Sequence, residues 1–337
     1  MKRGESHRRR RGAGHFLLLG LLLCGTLASA SEAPLDRIAF GSCNRSDQAQ
    51  PIWPAVLQLR PQLWIWSGDI IYADTEEMDS MAKLYRQQKS QPDYQKLLAC
   101  CQVIGTWDDH DYGRNDGDRS YRQKVESQRL LLDFLDEPAN TPRRRQAGIY
   151  ASHLQGPPGQ RVKVILLDTR FQREPPGRMA DILGAEQWQW LARELDPGSA
   201  ELFIVVSSIQ VIPVEHRHEK WANHPAARTR LPQLLADARL PALVLLSGDR
   251  HFAEIMRLDL DRLPYPLFEI TSSGLTHSWE NFPGEPNRYR IGEPYTGLNH
   301  GVLLIDWQDN QPRVEVQIRD RDGHPQLRQP IQFNRNP

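Results

Sequence analysis

Cysteine is scarce in this chain, with four residues in 337. One, Cys24, lies in an N-terminal apolar run, and the odd number left beyond it argues against a framework of paired disulfides. The apolar run Phe16 to Leu27 is too short for an ordinary membrane-spanning helix. There is no surplus of positive charge, with 42 bases against 42 acids. No Gly-x-Ser-x-Gly elbow offers a nucleophilic serine, and no internal repeat, low-complexity break or long linker divides the sequence.

The first 30 residues read as an address. Lys2, Arg3 and the run Arg8 to Arg11 form a basic region, Phe16 to Leu27 an apolar one, and Ala28-Ser29-Ala30 the small-residue cleavage pattern. Residues 1–30 are therefore expected to be a cleaved signal peptide, with no transmembrane anchor remaining. The destination is the periplasm or the exterior, and the arginine run points weakly to the twin-arginine route. Leu23 and Cys24 lie inside the apolar region, which makes a poor lipoprotein signal. That segment holds six bases and one acid, so residues 31–337 keep 36 bases against 41 acids, a net charge of −5. Such a balance argues against nucleic acid as the main partner. Residues 31–337 fit one large α/β domain, long enough to bury a core without staples.

Apolar runs of strand length recur at Ile38–Phe40, Leu63–Trp66, Leu98–Ile104, Val162–Leu167, Leu202–Val206 and Leu243–Leu246. More follow at Met256–Leu260, Leu267–Thr271, Val302–Trp307 and Arg313–Arg319. Helical patterns fall at Ile52–Leu59, Met78–Gln88, Val125–Asp136, Ala185–Glu194 and Arg230–Arg239. The first half reads as βα units with buried parallel strands and the last third as an antiparallel meander. Two facing sheets with helices outside are expected, and ligands then belong at the carboxyl ends of the strands.

Four motifs fall at such ends. Gly41-Ser42-Cys43 closes the first strand and Gly68-Asp69-Ile70-Ile71-Tyr72 follows the second. Trp107-Asp108-Asp109-His110-Asp111 opens an acidic stretch that continues to Asp118, and Gly248-Asp249-Arg250-His251 ends a later strand. Crowded aspartates repel one another unless a cation sits among them, and Asp with His suits divalent or trivalent ions. A solvated acidic turn is the bland reading of any one motif; four strand ends presenting metal-competent groups reverse it. Cys100 and Cys101, inside an apolar run, are expected to pack in the core.

Taken together and in order, these motifs resemble those of alkaline phosphatase D (PhoD-like) enzymes, within the calcineurin-like metallophosphoesterases. Leu167-Asp168-Thr169-Arg170 and Thr271-Ser272-Ser273-Gly274 also resemble family segments. The resemblance implies a four-layer α/β/β/α sandwich of two facing mixed sheets, a dinuclear iron–calcium (Fe3+ and Ca2+) centre, and hydrolysis of phosphate monoesters or diesters. Cys43, Asp69, Tyr72 and His251 would hold iron; Asp69, Asp109 and Asp249 would hold calcium, with Asp69 shared. Asp109 stands where some relatives carry Asn, adding a negative charge. The first strand starts close to the expected cleavage point, so the extra N-terminal domain of larger relatives is expected to be missing.

The chemistry is coherent on its own terms. Two cations can clamp a phosphate, lower the pKa of a bound water and stabilise attacking and leaving oxygens, with no protein nucleophile needed. His110, beside Asp109, is placed to donate to the leaving group or a phosphoryl oxygen, the alternative being a residue that only orients Asp109. Arg250 and Arg170 could neutralise phosphate or simply pair with a nearby carboxylate, and Asn44, His277 and His300 could line the site, with a structural role the favoured alternative for each. The partner is expected to be a small-molecule, lipid or polymer phosphoester. Against this stand a calcium- or phosphate-binding protein without catalysis and a glycosidase using Asp108 and Asp109. An EF-hand with Gly117 in sixth place would run from Tyr112 to Gln123 and lack both required carboxylates. Adjacent carboxylates in one loop rarely span a sugar ring.

Overall fold

In the computed structural model, residues 33–308 and 311–333 are described, together with Met1. The expected signal peptide lies outside the described residues. Two six-stranded sheets dominate. The first comprises β1 (Arg37–Gly41), β2 (Leu63–Ser67), β3 (Gln102–Thr106), β10 (Asn299–Gln308), β11 (Gln311–Asp320) and β12 (Pro325–Ile331). Its order is β12-β11-β10-β1-β2-β3. Strands β1, β2 and β3 run parallel, and the C-terminal three pair antiparallel.

The second sheet comprises β4 (Ala151–Gln155), β5 (Val162–Leu166), β6 (Leu202–Val206), β7 (Leu243–Ser247), β8 (Ala253–Leu258) and β9 (Leu267–Ser272), in the order β4-β5-β6-β7-β9-β8. Its central four strands are parallel and its edges antiparallel. Both sheets are therefore mixed, as expected from the sequence.

Alternation along the first sheet explains the layering. Ile38, Phe40, Leu63 and Ile65 join the core shared with the second sheet. Ala39, Trp64 and Trp66, at the intervening positions, face a separate outer core. That outer core is supplied by α1 (Trp53–Leu59), α2 (Met78–Lys89), α3 (Pro92–Cys100) and α5 (Lys124–Phe134). Trp53, Trp64 and Trp66 pack edge to face at 5.0 to 5.7 Å, and Trp66 donates to the Tyr94 hydroxyl at 3.1 Å. On the second sheet, α6 (Gly184–Glu194) adds Trp188 and Leu191 and α7 (Pro225–Asp237) adds Leu231 and Leu235.

The structure differs from the sequence reading in three respects. The run Leu98–Ile104 is not one strand: Pro92 starts α3, which ends at Cys100, and β3 begins only at Gln102. A continuous apolar run cannot by itself separate a buried helix end from a strand. Cys101 is buried there, but Cys100 is exposed. Strands β4 and β12 carry few apolar residues and lie at sheet edges, β12 with Pro325 and Pro330, which an edge tolerates. In the last third, β9 joins β7 in parallel, so that region is not wholly a meander.

Candidate functional site

The carboxyl ends of β1, β2, β3 and β7 meet where the two sheets face each other. The turns after them leave ordinary backbone space: Cys43, Asp69, Asp249 and His251 all have positive φ, at 59°, 49°, 72° and 56°. Left-handed backbone is uncommon for such residues and costs free energy. Gly68 and Gly248 allow the convergence. A Cβ on Gly68 would lie 2.7 Å from Asp108 Cβ, and one on Gly248 would lie 2.4 Å from Ser42 Oγ.

Buried polar groups then crowd together. Cys43 Sγ lies 3.4 Å from Asp69 Oδ2, and the Tyr72 hydroxyl lies 3.0 Å from His251 Nε2. His277 Nε2 is 3.3 Å from the same His251 nitrogen. Asp69, Asp109 and His110 offer ligand atoms within 4.8 Å of one another, as do Asp108, Asp109 and Asp249. Asp69 Oδ1 is buried without a hydrogen-bond partner, which is costly unless something positive meets it.

The electrostatics agree. Burial, then Asp109 and Asp108, raise the Asp69 carboxyl well above the carboxylate range; burial and Asp108 do the same to Asp249. Burial and Asp69 raise the Cys43 thiol, and burial and Cys43 raise the Tyr72 phenol. His251 is pushed down to about 3 and His277 to about 4, chiefly by burial, so both imidazoles are neutral. Neutral imidazoles with anions that need a cation are the donor set of a metal centre.

The acidic stretch divides into two jobs. Asp109 begins a single helical turn, α4 (Asp109–Tyr112), closed by a reciprocal capping pair of Asp108 and Asp111. Asp111 Oδ1 accepts the Asp108 amide at 2.6 Å and Oδ2 accepts the Ile70 amide at 3.0 Å, tying α4 to the turn after β2. Asp109 accepts the amides of His110 and Asp116 at 3.0 and 2.6 Å. His110 projects from this turn, its ring stacked 4.0 Å from that of Tyr72. Its Nδ1 lies 2.7 Å from Asp74 Oδ2. Burial opposes its charge, but Asp74 and Asp109 outweigh burial and the imidazole pKa is raised.

Two candidate substrate contacts lie in the interior. Arg170 is wholly buried, donating through Nε to Asp108 Oδ1 at 2.7 Å and pairing through Nη2 with Asp108 and Glu219. Asn44 is also wholly buried, donating to the Ile70 carbonyl at 2.9 Å and to Gln88 Oε1 at 2.7 Å. Arg250 reaches the pocket wall but is ion-paired with Glu285. His300 is buried in β10, with neither ring nitrogen hydrogen-bonded. Trp66 and Trp107 are core residues, whereas Trp279 lines the pocket. Asp74 and Glu219 were not singled out from the sequence. The pocket beside this cluster has a volume of about 860 Å³ and is bounded by Asp109, His110, Asp249 and His251 on one side.

A family model described as PhoD-like phosphatase matches residues 38–287, well over half of the chain. The chain belongs to the PhoD-like phosphatases. It is thus a phosphatase of the hydrolase class by family, and its buried Asp, His and Cys donors suit the metal dependence of such an enzyme. No curated protein matches it. Among solved structures, one described as PhoD is similar at 15% identity and a TM-score of 0.65, covering 90% of this chain and 73% of that one. GAP50, described as the anchor in the inner membrane complex of Plasmodium, is similar at 15% identity and 0.60, covering 89% and 90%. A dimetal phosphatase from Danio rerio is similar at 15% identity and 0.58, covering 89% and 100%. At these identities the three establish the shared fold.

Proposed function

We propose that the chain is an exported phosphoesterase acting on phosphate monoesters or diesters at a dinuclear iron–calcium centre. The observation that carries this is the buried cluster in which Cys43 Sγ meets Asp69 Oδ2 at 3.4 Å and Tyr72 meets His251 at 3.0 Å. Cys43, Tyr72 and His251 would hold ferric iron, Asp109 and Asp249 calcium, with Asp69 shared between them. A thiolate and a phenolate with Asp69 place three negative charges on one ion, which a trivalent cation offsets better than a divalent one. The remaining set is hard oxygen and suits calcium or magnesium. Cations held there supply charge neutralisation on the phosphate and an activated water.

The protein's own groups do the rest. Asp109 and Asp249 orient the reacting end of the pocket, and His110 stands beside it with Nδ1 engaged by Asp74. That hydrogen bond leaves Nε2 as the nitrogen that meets a substrate oxygen, and the raised pKa keeps a proton there to give to the leaving group. His277 packs against both Tyr72 and His251 and holds their rings rather than reaching for substrate. Arg250, paired with Glu285, contributes positive charge to the wall. Among the described residues no helix is long and apolar enough to cross a membrane. Export itself rests on the basic and apolar pattern of residues 1–30.

A non-catalytic role on the same fold has one specific support, the likeness to a protein described as an anchor. Turnover by the parent separates the two readings, and the Asp69→Asn variant tests the shared carboxylate. Catalysis at a shared carboxylate requires that this variant lose both metals and nearly all turnover of p-nitrophenyl phosphate. Metal content equal to that of the parent would contradict the shared role of Asp69, and a parent inert towards both p-nitrophenyl phosphate and its bis-ester would favour the binding protein.

A further inference from the structure

The pocket is lined by more than the Asp, His and Cys cluster. Its volume of about 860 Å³ lies near the upper end of the range for sites that hold whole small molecules, far more than one phosphoryl group fills. One stretch of the wall is formed by the loop between β6 and α7, through Arg217, His218 and Asn223, and by Trp279. His218 packs edge to face on Trp279 at 5.4 Å, and the Trp279 amide donates to the His251 carbonyl at 2.6 Å. The wall is therefore tied to the metal-bearing strand end.

Its charge is not balanced. Arg173 and Arg250 in the same pocket are ion-paired, with Glu219 and Glu285. Arg217 is exposed and has neither a salt bridge nor a hydrogen bond among the described residues. In the same loop, Lys220 is buried to 5% exposure, and its ammonium donates to neutral oxygens, the His218 carbonyl at 3.0 Å and Asn223 Oδ1 at 2.9 Å. A buried ammonium without a carboxylate partner is uncommon, because desolvation is offset only in part by neutral acceptors. Burial, Arg250, Arg217 and Lys220 disfavour charge on His218 and outweigh Glu285, so its pKa is lowered.

We infer that this wall is a second-anion subsite: Arg217, with the buried ammonium of Lys220 in the same loop, binds a phosphate carried on the leaving group, away from the phosphoryl group that is cleaved. The preferred substrates are then small molecules with two separated phosphates rather than simple monoesters. Trp279 and His218 pack against the scaffold that joins the two. This assignment rests on the phosphoesterase reading for the cleaved group, and it adds the part of the substrate that reading leaves open.

The test uses the purified protein with its native metals and two ligands that differ by one phosphate, adenosine 5′-monophosphate and adenosine 3′,5′-bisphosphate. Binding is measured by calorimetry and phosphate release by steady-state kinetics. The bisphosphate should bind about tenfold tighter, as one charge-assisted contact implies, and Arg217→Gln should erase that preference while Arg217→Lys keeps most of it. Equal binding of the two ligands by the parent, or a preference that survives in Arg217→Gln, would overturn the subsite. Should p-nitrophenyl phosphate be hydrolysed normally in that case, the subsite fails alone. Should no phosphoester be hydrolysed while the bisphosphate preference persists and depends on Arg217, the subsite stands as a binding site and the catalytic reading fails.

Discussion

Asp74 Oδ2 lies 2.7 Å from His110 Nδ1, so the imidazole that faces the pocket is held from behind by a carboxylate on the turn after β2. Asp74 itself has a positive φ of 42°, so this turn is bent to present it. The pairing determines which ring nitrogen meets the substrate and which form of the imidazole prevails.

The consequence is a pH signature. Burial works against the imidazolium, Asp74 and Asp109 favour it more strongly, and the His110 pKa is raised above its ordinary value. As a general acid His110 works protonated, so the alkaline limb of the pH profile should fall as pH rises through that raised pKa. Asp74→Asn removes the main favouring group. The fall should then move to lower pH, and turnover should drop about 10- to 100-fold, as for groups that orient a working histidine. His110→Ala should keep its metals and lose about 10²- to 10⁴-fold. An unmoved pH profile in Asp74→Asn would assign Asp74 to the surface alone.

Arg170 should matter for folding more than for binding. It is wholly buried between Asp108 and Glu219, and burial pushes Asp108 up to about 7 even with the guanidinium beside it. Arg170→Leu leaves two buried carboxylates facing each other, and breaking a buried pair from one side costs about 3–5 kcal/mol. A large drop in urea midpoint is expected. A variant with the stability of the parent and a raised KM would return Arg170 to the role of substrate contact.

Cys43 and Tyr72 should colour the protein. A ferric thiolate or phenolate absorbs visible light, and a ferric ion would hold both groups deprotonated although burial raises both when no cation is present. Bands should shift separately in Cys43→Ser and Tyr72→Phe. A colourless, fully active preparation containing calcium or zinc and no iron would end the ferric assignment and leave the phosphoesterase reading intact.

The convergence of Cys43, Asp69, Asp109 and Asp249 was legible because each lies two or three residues past the end of a β-run, at β1, β2, β3 and β7, and strand ends are local features of a sequence. The sandwich was legible for a related reason, since Ile38, Phe40, Leu63 and Ile65 alternate with Ala39, Trp64 and Trp66 between two cores. Asp74 was not, because its partner is 36 residues away and only the bend after Tyr72 brings them together. Nor were the separate tasks of five nearby aspartates: Asp108 and Asp111 cap α4, a role set by three-dimensional packing around Ile70 and Arg170. Arg170 and Asn44 looked like substrate contacts because their types suit phosphate, and only burial shows their donors directed into the protein.

The most direct measurement is elemental analysis of the native protein paired with turnover of p-nitrophenyl phosphate before and after chelation. Two cations per chain, one of them iron and one calcium, should leave together with activity, and activity should return when both are restored. Full turnover by protein shown to contain no bound metal would contradict a metal-dependent phosphoesterase outright.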